Sequence, residues 1–461
     1  MSLIGAFVVP HPPLIVPEIG KGEQSRIQKT IDSYKAIAKK IALLKPETII
    51  ITTPHSVLYS DYIHISPEPK AKGSFKDFGA PSIQFEVDYD ETLIKMISSL
   101  ATSKNIAAGT KGEKSTVLDH ATMVPLYFVN QYYNNFKLVR ISLSGLSDST
   151  HYQFGMCINE AVQQSKKRVV LISSGDLSHK LTEDGPYGFA KEGPIFDKKV
   201  TNALSNGDFM ELFSFDEDFL EKTAECGLRS FLMLAGALDG KSIESELLSY
   251  EGPFGVGYAI ASFKILKEDK SRQFGLLFEK QESSKLRLLR EKEDSFVKLA
   301  RKSLEYYIHT HKKLDCPINL EEELLKEKAG VFVSLKMDNR LRGCIGTIYP
   351  TTKCIAYEII QNAISAGTQD PRFPPVLASE LSKLVISVDV LGKKEAISSL
   401  EELDVLRYGV IVSSKGKSGL LLPNLSGITT PFMQVQIALQ KAGINKEESY
   451  SMERFEVIRH H

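Results

Sequence analysis

Three histidines follow apolar segments that are typical of β-strands in the amino-terminal part of the chain: His11, His55 and His179. In α/β proteins the carboxyl ends of parallel strands meet at a shared crevice, and ligands bind there. Imidazoles collected at such a place are typical ligands of a transition metal. The spacing therefore predicts a metal centre at one edge of a sheet.

His11 and His55 are the natural pair of metal ligands, because each follows a strand and is flanked by proline. Proline restricts the local backbone and helps to fix the direction of the imidazole ring. Two histidines and one carboxylate hold ferrous iron on one face and leave the other face open for dioxygen chemistry. The alternative is that both residues are loop histidines whose rings are exposed or hydrogen-bonded.

Apolar strands alternate with helical patterns over residues 1–266. This alternation predicts an α/β domain with a mostly parallel sheet and helices on both faces, which would position the histidines. Residues 28–44 carry apolar side chains at spacings of three and four, which predicts an amphipathic helix. Further elements are expected at four places: strands over 138–143, 169–173 and 257–263, and a buried helix over 223–238.

A second domain begins after a change in composition. Residues 267–287 are charged and only weakly periodic, which predicts a linker. Residues 288–461 then predict a smaller α+β domain, with a helix after Glu291 and a hairpin turn at Asp338-Asn339.

Composition limits the classes of function. Lys plus Arg and Asp plus Glu both number 57, so the formal charge of zero offers no general attraction for nucleic acid or anionic lipid. The chain shows no signal-peptide pattern and no apolar run near the roughly 20 residues that span a bilayer. Its five cysteines lack the spacing of a disulfide framework or a structural zinc site. We therefore expect a cytoplasmic protein with neither nucleic acid nor membrane as a partner.

Several motifs resemble known families. Four resemble the class III extradiol ring-cleavage dioxygenases of the LigB type and their Memo-like relatives: Val9-Pro10-His11-Pro12-Pro13, Thr53-Pro54-His55, Leu118-Asp119-His120 and Ser174-Gly175-Asp176-Leu177-Ser178-His179. Two resemble the AMMECR-type domain: Leu341-Arg342-Gly343-Cys344-Ile345-Gly346-Thr347 and Asp370-Pro371-Arg372-Phe373-Pro374-Pro375. The fusion resembles the architecture labelled AmmeMemoRadiSam, which implies a radical-SAM protein as a partner.

The first resemblance implies a non-haem Fe(II)-dependent dioxygenase that acts with O2 on a catechol- or aminophenol-like substrate, in a chain that forms a homo-oligomer. It makes His179 the second-sphere acid/base and places His120 near the substrate. Imidazole titrates near neutrality, which suits proton exchange. Alternatively, His179 is a fourth ligand or a structural residue, and His120 merely begins a helix that Asp119 caps. Asp176 either orients a neighbouring group or serves only the turn.

The third metal ligand is either Glu225 or Cys226. Extradiol enzymes use a downstream glutamate, whereas Memo-like proteins present a cysteine at the corresponding place. Adjacent residues of a helix point roughly 100° apart, so only one of the two faces the metal. Glu225, which we favour, gives a ferrous oxygenase site, and Cys226 gives a softer site suited to copper, zinc or thiolate-ligated iron.

A second pocket is predicted in the AMMECR-type domain. Arg342 and Cys344 lie two apart on a predicted strand and so share a face, which Arg372 approaches from a proline-rich loop. Cys344 is then a reactive thiol beside a cation, or else a buried cysteine in a glycine-rich strand.

Three functions follow from these patterns. The first, which we favour, is a dioxygenase with an accessory AMMECR-type domain. The second is a Memo-like metal-binding redox protein that works with a radical-SAM partner. The third is a non-catalytic adaptor whose former active site is vestigial.

Overall fold

The structure is a computed structural model that describes residues 3–338, 340–425 and 427–461. It divides into two compact units, Met1–Lys280 (unit 1) and Gln281–His461 (unit 2). The boundary falls within the charged segment predicted as a linker. That segment is largely helical, because Phe274 is buried and Phe278 stacks on Phe213 with their ring centroids 4.2 Å apart.

Unit 1 combines a central sheet with surrounding helices. Its strands are β1 (Leu3–Val9), β2 (Thr48–Thr53), β3 (Ile63–His64), β4 (Lys70–Phe75), β5 (Ala80–Asp88), β6 (Ala108–Gly109), β7 (Lys137–Ser142), β8 (Val169–Ser174), β9 (Lys241–Glu251) and β10 (Tyr258–Glu268). Its helices are α1 (Pro17–Gly20), α2 (Gln28–Leu44), α3 (Glu91–Ser103), α4 (His120–Val129), α5 (Asp148–Ser165), α6 (Glu192–Asn206), α7 (Glu217–Thr223) and α8 (Leu228–Ala237). Helix α9 (Phe274–Glu291) contains the boundary between the units.

The central sheet has the strand order β7-β2-β8-β1-β10-β9. Its first four strands are mutually parallel, and β10 and β9 continue it antiparallel. All six residues of β2 and all six of β8 are buried, as expected for parallel strands that are covered on both faces. The predicted mostly parallel α/β sheet is therefore confirmed.

Helices cover both faces of this sheet. Ser173 and Ser174 are successive residues of β8, so their side chains point to opposite faces. The Ser173 hydroxyl donates to the carbonyl of Ser230 in α8, and the Ser174 hydroxyl donates to the carbonyl of Ala121 in α4. Helices α8 and α4 therefore lie on opposite faces, as predicted.

The predicted helix over residues 223–238 is interrupted near its start. Helix α7 ends at Thr223, Ala224 adopts a left-handed conformation with φ of 51°, and α8 begins only at Leu228. Glu225 and Cys226 therefore lie in the turn between two helices. The 100° argument for adjacent helical residues does not apply to them.

A two-stranded hairpin of β4 and β5 lies outside the central sheet. A short 3-10 turn over Lys76–Phe78 joins its strands, and Gly79 closes the turn with φ of 81°. Gly73 of β4 lets the hairpin approach the start of α4, since a Cβ atom there would lie 2.6 Å from the sulfur of Met123.

Unit 2 is a smaller α+β domain, as predicted. Its strands are β11 (Val331–Met337), β12 (Arg340–Gly346), β13 (Val385–Ile397), β14 (Gly409–Ser414), β15 (Lys417–Leu421) and β16 (Ser451–His460). Its other helices are α10 (Ser295–Thr310), α11 (Glu322–Lys326), α12 (Ile355–Thr368) and α13 (Pro431–Ala442). The sheet has the order β12-β11-β13-β16-β14-β15, and neighbouring strands pair antiparallel.

The predicted hairpin corresponds to β11 and β12. In its predicted turn, Asp338 has a left-handed conformation with φ of 51°, whereas Asn339 lies outside the described residues. Within the described ranges, every helix is too short or too polar to cross a lipid bilayer.

Candidate metal centre

The three histidines that follow strands come from neighbours in the sheet. His11 follows β1, His55 follows β2 and His179 follows β8, and β8 pairs in parallel with both of the other strands. Their carboxyl ends therefore meet at one edge of the sheet. The ring centroids of His11 and His55 lie 4.9 Å apart, with their planes at 89°.

His120 belongs to the same cluster. Its ring stacks on His55 with a centroid distance of 4.4 Å and lies 5.4 Å from the ring of His11. It is also the first residue of α4, where the Asp119 carboxylate accepts a hydrogen bond from the Thr122 amide at 3.0 Å. His120 therefore begins a helix that Asp119 caps and also lies beside the candidate metal ligands.

Cys226 supplies the third donor atom of the cluster. One nitrogen each of His11 and His55 and the Cys226 sulfur all lie within 4.8 Å of one another. The Cys226 Sγ is 3.6 Å from His11 Nε2. Glu225, which the sequence favoured, instead accepts a hydrogen bond from the Leu228 amide at 2.7 Å and caps the start of α8.

The turn between α7 and α8 explains this arrangement. Gly227 packs against the 174–179 loop so closely that a Cβ atom there would lie 2.8 Å from the carbonyl oxygen of Asp176. The Asp176 amide donates to the Cys226 sulfur at 3.3 Å, which ties the thiol to the segment between Ser174 and His179. The Asp176 carboxylate in turn accepts from the His11 amide at 2.7 Å, so this residue orients a candidate ligand as well as serving its turn.

His11 presents a lone pair towards the sulfur. The Ser174 hydroxyl gives its proton to the Ala121 carbonyl, so it accepts from His11 Nδ1 at 3.1 Å. Nδ1 of the neutral ring then carries the proton, and Nε2 is free to bind a metal. Burial, followed by repulsion from His55, holds the pKa of His11 well below its ordinary value, so the ring is neutral.

The charges at the site fit a bound cation. Burial, with Asp176 and Glu225 nearby, raises the pKa of the Cys226 thiol well above its ordinary value. Burial also raises the pKa of Asp176 to about 7. A bound metal ion would lower the pKa of the thiol, because it favours the thiolate and the neutral imidazole as ligands. Two imidazole nitrogens and one sulfur form a donor set suited to iron, copper or zinc.

His179 lies at the same edge of the sheet without belonging to the three-donor group. Its Nδ1 bonds to the Leu177 carbonyl at 3.0 Å, and its ring meets that of Tyr187 edge-on at 5.3 Å. Burial lowers the pKa of His179. The buried Asp197 carboxylate, which accepts from the Ser178 amide at 2.8 Å, holds this loop in place.

Sequence reasoning missed three side chains near the cluster. Ser174 begins the motif that ends at His179, but only the hydrogen bond from its hydroxyl to the Ala121 carbonyl explains its contact with His11. Phe78 and Tyr187 come from separate loops, and no local pattern links either of them to the histidines.

The structure also brings together Arg342, Cys344 and Arg372 in unit 2. The Arg342 guanidinium binds Glu380 at 2.8 and 3.0 Å. Arg372 binds Asp370 at 2.9 and 2.7 Å and donates to the carbonyl of Cys344 at 3.2 Å. These contacts tie the edge strand β12 to the 370–380 loop, and both arginines are already paired with carboxylates.

Comparison with known proteins identifies the family of each unit. Residues 5–261 match the family described as the catalytic LigB subunit of aromatic ring-opening dioxygenase. The chain belongs to the LigB family. Residues 297–460 match the AMMECR1 family, so the resemblance of the whole chain to a LigB-type unit fused to an AMMECR-type domain is confirmed.

Individual relatives match either the whole chain or about a third of it. Protein CA_C1420 of Clostridium acetobutylicum is 46% identical over 468 residues, which cover 100% of this chain and 99% of that protein. A protein of Thermotoga maritima is 45% identical over 170 residues, covering 36% of this chain and 98% of that protein. The crystal structure of protein PH0010 from Pyrococcus horikoshii shares 33% identity at a TM-score of 0.34, covering 36% of this chain and 88% of that one.

Proposed function

We propose that unit 1 is a metal-dependent oxidoreductase of the ring-opening dioxygenase type, with its metal held by His11, His55 and Cys226. Its substrates are dioxygen and a catechol- or aminophenol-like molecule. The observation that carries the proposal is the group of three donor atoms within 4.8 Å of one another, beside the carboxyl ends of parallel strands. Membership of the LigB family supports the reaction type.

Iron(II) is the metal that we propose, and copper and zinc are the other ions that this donor set suits. Bound iron would supply the redox chemistry by which dioxygen reacts with an aromatic ring. The protein itself holds the metal, orients the substrate and moves protons. Ser174 assists the first task, because it keeps the Nε2 atom of His11 unprotonated.

His179 is the residue that we propose as the general base. A carbonyl can only accept a hydrogen bond, so the contact with Leu177 places the proton on Nδ1 of the neutral ring. Nε2 is then the ring nitrogen that can take a proton from a substrate hydroxyl. Because burial lowers the pKa of His179, the ring is uncharged near neutral pH and ready to accept that proton.

His120 is proposed to lie beside the substrate as an uncharged hydrogen-bonding group. Burial, with repulsion from His55, lowers its pKa to about 4. It therefore remains neutral at physiological pH and leaves the positive charge of the site to the metal. Its stacking on His55 brings it next to a candidate ligand without making it part of the three-donor group.

A second candidate function is favoured by the position of Cys226. A thiolate ligand is soft and suits copper, as in a Memo-like redox protein that works with a radical-SAM partner. The two candidates share His11, His55 and Cys226 and differ in the metal that is bound and in whether an aromatic substrate is consumed.

Metal analysis after anaerobic purification tests both candidates. The wild type is compared with the double variant His11→Ala, His55→Ala and with the control His309→Ala, His311→Ala, which removes two exposed histidines of unit 2. The same samples, supplied with Fe(II), are then tested for oxygen uptake with catechol and aminophenol.

Near-stoichiometric iron that only the His11/His55 variant loses, together with oxygen uptake, is the expected result. Copper at the same site without oxygen uptake would favour the second candidate. Absence of bound metal from the wild type and the control alike would refute both.

A further inference from the structure

We infer that the groove beside His120 binds the non-reacting part of the substrate, an uncharged and apolar arm of at least one further ring. Phe78 is then the residue that determines this specificity. The inference rests on the proposed function, because the reacting ring must lie at the metal centre. The groove runs between the β4–β5 hairpin and the start of α4, and its volume is about 640 Å³.

One side chain, His120, contacts both the groove and the candidate metal centre. His120 lines the groove and also stacks on His55 at a centroid distance of 4.4 Å. On its other side, the His120 ring meets the ring of Phe78 edge-on at 5.5 Å. A molecule that contacts His120 at the metal centre therefore has the groove directly beside it.

The size of the groove exceeds what one aromatic ring needs. A cavity of roughly 150 Å³ accepts one benzene molecule, so this groove has room for about four times that volume. It lies within the range of about 300–1,000 Å³ that is typical of sites for larger ligands. A single-ring catechol would leave most of it filled with water.

The lining favours an uncharged arm. Lys72 is paired with Glu86 at 3.3 Å, and Lys76 is followed directly by Asp77. The third lining carboxylate, Asp119, lies 3.6 Å from the buried Arg140, so positive and negative charges balance. Buried Phe85 and Met123 form apolar walls. An arm that bears a net charge would find no excess of opposite charge here, whereas an apolar arm would displace water from apolar surface.

Phe78 is the side chain best placed to recognise such an arm. It is 38% exposed, although it is a large apolar residue, and it stands at the tip of the hairpin. Val117 on the other side of the groove is 66% exposed. Two exposed apolar side chains that line one groove beside the histidines form a surface that an aromatic arm would cover.

Calorimetric titration of the anaerobic, Fe(II)-loaded full chain tests the inference, with catechol and phenylcatechol as the two probes. We expect phenylcatechol to bind about tenfold or more tightly than catechol, because its second ring is buried in the groove. Phe78→Ala should reduce this preference to within about threefold, and Phe78→Leu should retain part of it. Phe432→Ala, which removes a 61% exposed phenylalanine of unit 2, should leave the preference unchanged.

Equal affinities for the two probes would overturn the inference, and so would a preference that Phe78→Ala leaves intact. Failure of both probes to bind would overturn it as well. The metal content and oxygen uptake of the same samples show separately whether the proposed function fails: an iron-loaded, oxygen-consuming protein without the preference loses only the groove assignment. Because the chain has no tryptophan, Phe78→Trp adds a direct readout, and its emission should shift when phenylcatechol binds.

Discussion

The choice between Cys226 and Glu225 as a metal ligand leads to a quantitative prediction. Cys226→Ser removes a soft donor whose sulfur lies 3.6 Å from His11 Nε2. Apparent binding energies of four-ligand zinc sites are about 10–16 kcal/mol, so one ligand contributes roughly 3 kcal/mol. A loss of that size weakens metal binding about 100-fold.

Glu225→Gln is the matched control, one residue away. Its side-chain carbonyl can still accept the hydrogen bond that the Leu228 amide donates at 2.7 Å to the native carboxylate. The cap of α8 is therefore preserved, and the donor atoms of His11, His55 and Cys226 are untouched. We expect metal affinity to change less than about threefold, since no ligand is lost.

Competition with a chelator measures the two affinities under anaerobic conditions. Substitution with cobalt adds a spectroscopic test, because a thiolate ligand produces a sulfur-to-metal charge-transfer band that Cys226→Ser should abolish and Glu225→Gln should retain. If Glu225→Gln releases the metal while Cys226→Ser keeps it with full affinity, the assignment of the third ligand from the turn geometry is refuted.

Four further outcomes are expected. Ser174→Ala should weaken metal binding about 10- to 100-fold without removing a ligand, because it releases the tautomer of His11, and chelator competition measures this loss. His179→Asn should keep the metal and lower the rate of oxygen uptake about 100- to 10,000-fold. Burial raises the pKa of Asp197 to about 7 from an ordinary 3.8, so the folded state binds this proton more tightly than the unfolded state. Stability then falls by up to about 4 kcal/mol as pH rises from about 4 to 7, and Asp197→Asn should remove that part of the slope in urea unfolding. Gly155→Ala should lower the melting temperature, since the new Cβ atom would lie 2.0 Å from the Met233 carbonyl oxygen. Moving α5 away from α8 to relieve this contact should lower the free energy of unfolding by about 1–3 kcal/mol.

A specific result for each of the four variants would contradict the reasoning. Unchanged metal affinity in Ser174→Ala would contradict the tautomer argument, and metal loss in His179→Asn would make His179 a ligand. A variant at Asp197 with the same pH slope as the wild type would exclude that carboxyl as its source. An unchanged melting temperature for Gly155→Ala would mean that the two helices separate at little cost.

Local pattern was sufficient for the parts of the fold that depend on nearby residues. Apolar spacing predicted the helix at Gln28–Leu44 with the same limits as the structure, and the apolar runs at Val169 and Leu138 became β8 and β7. A histidine that directly follows a buried parallel strand can end only at the carboxyl edge of the sheet, which is why His11 and His55 were recognisable as neighbours. The same pattern found His179, and the motif resemblance added His120.

Only the tertiary structure shows which of two adjacent residues, Glu225 or Cys226, lies beside His11 and His55. Glu225 and Cys226 are adjacent, and their directions depend on the left-handed Ala224 and on the packing of Gly227 against Asp176, about 50 residues earlier in the chain. Contacts between segments so far apart leave no periodic pattern in the sequence.

Contacts between distant segments also give Ser174 its place beside His11 and form the groove beside His120. Ser174 receives its role from a carbonyl of α4, and Phe78 reaches His120 only because the hairpin folds over the start of that helix. The sequence by itself determined the α/β architecture and the histidines of the site, because these follow from local periodicity and from strand ends. Tertiary packing decided which candidate donor lies beside the two histidines, the hydrogen bond that sets the tautomer of His11, and the groove, because each depends on atoms that only the folded chain brings together.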